Sequence, residues 1–177
     1  MPQLLPDTVL TQGESLRMKS LQVIELFAGV GADGKPIVEQ LHVRELEDGT
    51  FQLVQSPAFA KGLASGDVVK MLPQTREFDL VQRSGNLSVR VFSRGDIQPL
   101  ADALTSELEK LGGELDRETP RMLVYSIHVS CGFSAIENIL NEFVGRDGQS
   151  AWMYGNVYDP ADGETPLNWW LDLLKPE

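Results

Sequence analysis

Two histidines, one cysteine and a surplus of carboxylates are the reactive side chains this sequence offers. His128 and Cys131 stand three positions apart, and an imidazole that near in the chain could take the thiol proton and leave a nucleophilic thiolate. The rest of such a centre is missing from the pattern. No Asn or Asp is placed to orient the ring, and a small buried thiol beside a hydrogen-bonded imidazole is the commoner outcome at a strand end. His42 falls inside a β-type run and reads as a strand side chain. Zinc would need both histidines plus carboxylates from separate halves of the chain, and a single cysteine excludes a thiolate site.

The carboxylates are no better arranged for acid-base work. Glu107 and Glu109 point to different faces of a predicted helix; Glu114, Asp116 and Glu118 share one side of a predicted edge strand, where solvent would keep all three ionised. The run Asp159-Pro160-Ala161-Asp162-Gly163-Glu164 lacks the alternating ligands and distal Glu of a calcium loop and reads as a turn. Gly29-Val30-Gly31-Ala32-Asp33-Gly34 lacks the Lys-Ser/Thr pair of a phosphate loop. We therefore expect no catalytic residue, no metal and no cofactor.

Charge points to binding instead. With 26 Asp plus Glu against 15 Lys plus Arg, the 177-residue chain carries a net charge of -11. That field repels phosphate backbones and anionic lipid, because proteins reach both through Lys and Arg. It attracts basic proteins. A hydrophobic content of 42% supports a real core. No run approaches the roughly 18 apolar residues of a membrane span. The start, Met1-Pro2-Gln3-Leu4-Leu5-Pro6-Asp7, lacks the basic flank of a secretory signal. A cytoplasmic location is the expectation.

The elements that would carry these residues fall into four stretches. Residues 1–20, with two prolines and little periodicity, read as a flexible lead-in. Residues 21–86 read as five short strands of a small antiparallel sheet or barrel, with turns at Glu47-Asp48-Gly49-Thr50 and Ser65-Gly66-Asp67. Residues 87–160 alternate strand and helix. Leu87 to Val91 is a half-buried strand. A helix capped by Asp96 follows, with Ile97, Leu100, Leu104, Leu108 and Leu111 on one face up to Gly112-Gly113. Glu114 to Glu118 is an edge strand and Met122 to Val129 a central one. Ser134-Ala135-Ile136-Glu137 has the form of a capping box for a second helix, and Ala151 to Tyr158 is a last strand. This order is that of a ferredoxin-like split βαβ unit in an α+β fold. Residues 161–177 would add a short terminal helix, with Thr165 as cap and Pro166 at its first position.

Three segments carry a family resemblance. They are Glu45-Leu46-Glu47-Asp48-Gly49-Thr50-Phe51, then Ser56-Pro57-Ala58-Phe59-Ala60-Lys61-Gly62-Leu63-Ala64-Ser65-Gly66-Asp67-Val68-Val69, then Ser84-Gly85-Asn86-Leu87-Ser88-Val89-Arg90-Val91. In this order they resemble a bacterial family known as domain of unknown function 4265, over roughly residues 35 to 160. The resemblance supports the two-part fold and brings no established activity, so it carries over no catalytic residue. Within these segments, Gly66-Asp67 reads first as a strand-starting turn, and Ser84-Gly85-Asn86 as a polar turn that could line a junction between the halves.

From these residues we expect a non-catalytic protein-binding module, of the immunity type that masks a basic toxin or enzyme. Its contact residues would be Glu107, Glu109, Glu114, Asp116 and Glu118, with Asp159, Asp162, Glu164 and Asp172 beside the aromatic anchors Trp169 and Trp170. Of the two, Trp169 is expected to stay accessible. Two other functions fit the sequence: a small-molecule-sensing regulatory module, and an enzyme using Cys131.

Overall fold

Alternating side chains set the first sheet. In the computed structural model, which describes residues 21–174, β1 (Leu21–Val30) and β2 (Pro36–Glu45) pair antiparallel, with Val23 opposite His42 and Phe27 opposite Val38. Leu26, Leu41 and Val43 then face inward and are buried, while Val23, Phe27 and His42 face out. β3 (Phe51–Leu53), β4 (Val68–Met71) and β5 (Phe78–Gln82) complete a five-stranded antiparallel meander in chain order. Gly49 at φ 86 closes the β2–β3 turn, where Asp48 Oδ1 accepts the Thr50 amide at 3.0 Å. The Phe27 amide donates to the Arg76 carbonyl at 2.8 Å. This joins the first strand to the β4–β5 turn across the sheet, so the meander must curl.

The second sheet follows from two helical crossovers. β6 (Asn86–Ser93), α1 (Gln98–Lys110), β7 (Glu114–Thr119), β8 (Met122–His128), α2 (Phe133–Phe143) and β9 (Ser150–Tyr154) give the order β7-β8-β6-β9, every pair antiparallel. Leu87, Val89 and Val91 of β6 share one core with Leu104 and Leu108 of α1 and Ile136 and Leu140 of α2, so both helices lie on the same face. The fold is α+β, as expected from the sequence.

Three local expectations need correction. Asp96 does accept the Gln98 amide at 3.1 Å, but Ile97 occupies the cap position. The expected capping box does not form. The chain leaves a short turn, Val129–Cys131, through Gly132 at φ 92, which starts α2 at Phe133 and places Ser134 inside the first turn. Glu137 accepts the Tyr154 hydroxyl at 2.8 Å instead. The terminal helix is reduced to one 3₁₀ turn, Trp169–Leu171, because Asp162 holds Thr165 in the preceding turn and Pro166 bridges to Tyr158. The expected lead-in, residues 1–20, lies outside the described residues, as do residues 175–177.

Candidate functional site

The loop of residues 54–67 is gripped from both sheets, and charged side chains supply the grip. Glu39 sits at an inward position of β2 and is 4% exposed. Its carboxylate accepts the amides of Ala58, Phe59 and Ala60 at 2.6, 2.9 and 2.8 Å, a charge-assisted set that offsets its burial. Arg90 of β6, 3% exposed, donates from the other sheet to the carbonyls of Phe59 and Ala60. Arg117 of β7 adds an ion pair to Glu39 at 3.8 Å. One stretch of backbone thus gives its amides to an anion and its carbonyls to a cation.

Around this grip several further polar groups are spent internally. Asp116 Oδ2 accepts the Ser56 amide at 2.8 Å and the Ser126 hydroxyl, and burial holds its carboxyl above the usual carboxylate range. Asp67 accepts the amides of Ala64 at 3.0 Å and Ser84 at 2.8 Å, again with burial raising its proton affinity. Ser84 Oγ and Asn86 Nδ2 both donate to the Ser65 carbonyl, at 2.7 and 2.9 Å. Ser84-Gly85-Asn86 is therefore a packed junction. Gly155 closes the seam: a Cβ there would stand 2.7 Å from Ser88 Oγ and 3.0 Å from Arg90 Nε, the two buried polar side-chain atoms left without a partner among the described residues.

The expected contact residues divide. Glu109, Glu114 and Glu118 are exposed, and Glu107 is half-buried and paired with Lys110 at 2.8 Å. The Tyr125 phenol, pushed up to about 12 chiefly by burial, also feels both Glu118 and Glu109, so α1 and β7 bring these two carboxylates near each other. Asp116 does not belong with them. A bulge between Leu115 and Arg117 breaks the two-residue alternation: Glu114 stands opposite Ser126 and Glu118 opposite Leu123, so the two take opposite faces of β7, and Asp116 turns into the seam.

The second group is also partly engaged. Asp162 accepts the Glu164 and Thr165 amides at 2.8 and 3.0 Å and the Thr165 hydroxyl at 2.5 Å, which holds its carboxyl down at about 2. Asp159 binds the Ala161 amide at 2.9 Å, so this stretch is the turn that its sequence suggests; Glu164 and Asp172 are exposed. Trp169 is half-buried rather than accessible. Its Nε1 donates to the Asn156 carbonyl at 2.9 Å, and the Arg83 guanidinium lies 5.3 Å from its ring centre. Trp170 packs edge-on to Phe133 at 5.3 Å.

His128 and Cys131 have separate partners. His128 Nδ1 meets Ser130 Oγ at 2.8 Å, and the Cys131 thiol donates to the Leu111 carbonyl at 2.8 Å. Among the described residues no cluster of three or more His, Cys, Asp or Glu could hold a metal ion, and no helix is long and apolar enough to cross a membrane. Asn156 also belongs to the seam, its side chain accepting the Ser88 amide and donating to the Asn86 carbonyl, both at 2.9 Å. Glu39 occupies the same strand parity as Leu41 and Val43, where an apolar residue belongs.

The chain belongs to the family described as domain of unknown function DUF4265, whose model matches residues 39–152 and so spans the gripped loop. It is similar in fold to a solved structure described as a novel crystal structure of a hypothetical protein from Neisseria gonorrhoeae. The two are 19% identical over 76% of this chain and 94% of that one, with a TM-score of 0.61. No curated protein matches the chain.

Proposed function

We propose that this protein is a non-catalytic binding module whose acidic edge, Glu107, Glu109, Glu114 and Glu118, docks on a basic protein, as an immunity-type inhibitor does. The observation that carries this reading is the approach of Glu109 of α1 and Glu118 of the edge strand β7 to the same buried Tyr125 phenol of β8. Clustered surface carboxylates steer a cationic partner and set its orientation. Glu39, Asp67 and Asp116 are engaged in holding the loop of residues 54–67, which favours the exterior as the working surface. The order β7-β8-β6-β9 with both helices on one face supports a ferredoxin-like split βαβ unit as the scaffold. The paucity of cysteine accords with a cytoplasmic setting.

The test is affinity capture from the native host at low salt, using the wild type and the triple variant Glu109→Lys, Glu114→Lys, Glu118→Lys. A basic partner held by the wild type should be lost from the variant, and its association rate should fall steeply as salt is raised. A partner retained by the variant would place the contact elsewhere.

A further inference from the structure

We propose that the open end of the curled N-terminal sheet is a binding groove for an uncharged amphipathic small molecule, with an apolar body and a hydrogen-bonding head. The groove has a volume of about 520 Å³, within the range of small-molecule sites. Ile24, Phe51 and Met71 form its floor, each only partly buried against the core of the first sheet. The ion pair of Arg76 Nε with Glu25 Oε1 at 2.9 Å stands at its open mouth. That pair satisfies the charges at the mouth, so a neutral ligand meets no uncompensated ion there.

Gln74 supplies the second observation. It follows Pro73 in the β4–β5 turn at φ 62, a backbone conformation that glycine adopts without strain and glutamine does not. The turn, with Pro73 at its second position and the Thr75 amide donating to the Leu72 carbonyl at 3.5 Å, calls for positive φ at its third, so a glutamine in place of the usual glycine keeps a side chain there at the cost of strain. The Gln74 side chain lines the groove, and its amide has no hydrogen-bond partner among the described residues. Both its donor and its acceptor are available to a ligand's amide or hydroxyl, above a floor that takes the apolar body.

The probe is N-phenyl-1-naphthylamine, uncharged and with one N–H donor, titrated into the full chain by fluorescence. Saturable one-to-one binding is expected. Gln74→Gly should weaken it about fivefold, the worth of one hydrogen bond, while holding or raising the melting temperature because the turn is relaxed. Val23→Ser, which alters the exposed outer face of β1, should leave the affinity unchanged. The 8-sulfonate analogue of the dye should bind more weakly. Absence of saturation, an unchanged affinity in Gln74→Gly, or binding lost in Val23→Ser overturns the site; an anionic analogue that binds as tightly overturns the ligand class.

Discussion

Glu39 is the residue on which most of the buried polar structure converges. Replacing it by Gln keeps the shape but exchanges a carboxylate for an amide that can accept from fewer of the Ala58, Phe59 and Ala60 donors and leaves Arg90 and Arg117 without their counter-charge. Removing one partner from a buried ionic set costs roughly 3–5 kcal/mol, more than the set contributes over an apolar replacement. Glu39→Gln should therefore lower the urea midpoint strongly, and Glu109→Gln, on the exposed edge, should hardly move it. If the two variants unfold together, the grip on the loop is not what holds the sheets.

At the scale of elements, the α2 start offers a clean contrast. A genuine Ser cap is worth about 1 kcal/mol, whereas a serine inside the first turn with its side chain exposed is worth within about 0.5 kcal/mol. Ser134→Ala should thus be close to neutral by chemical denaturation, while Tyr154→Phe, which strips Glu137 of its hydroxyl partner, should be the costlier change. Strands and helices were largely legible from periodicity: Leu87 to Val91 alternates, and Leu104, Leu108, Ile136 and Leu140 recur at helical spacing, as their burial bears out. The seam was not. Period-two alternation says which side of a strand a residue takes, but what lies on that side depends on a loop folded from another stretch of chain. Arg90 alternates correctly with Val89 and Val91, yet it is buried because residues 54–67 cover its face. Asp116 was misplaced for a related reason: a bulge shifts parity by one, and no residue type in Glu114 to Thr119 announces it.

For the whole molecule, two contributions to pH dependence run the same way. Asp67 and Asp116 titrate higher in the folded than in the unfolded chain, so the native state keeps the extra protons between the two values, and stability falls as pH rises through that window. The net charge of -11 at pH 7 adds self-repulsion above the pI near 4.6. The melting temperature should therefore be higher at about pH 4.5, just above the ordinary aspartate range, than at about pH 8, with added salt recovering the share due to repulsion alone. Equal melting in both buffers would mean that neither effect matters at this size of charge.

Lys61 lies on the surface, in the middle of the gripped loop. Trypsin needs several residues drawn out and extended before it can cut, yet here the Ala60 carbonyl is held by Arg90, the Gly62 amide by the Gly155 carbonyl at 2.8 Å, and the Gly62 carbonyl by Arg83 at 3.0 Å. Digestion after Lys61 should accordingly wait for both sheets to part, and its rate in graded urea should follow the global unfolding curve. A surface lysine would then report on the integrity of the entire chain.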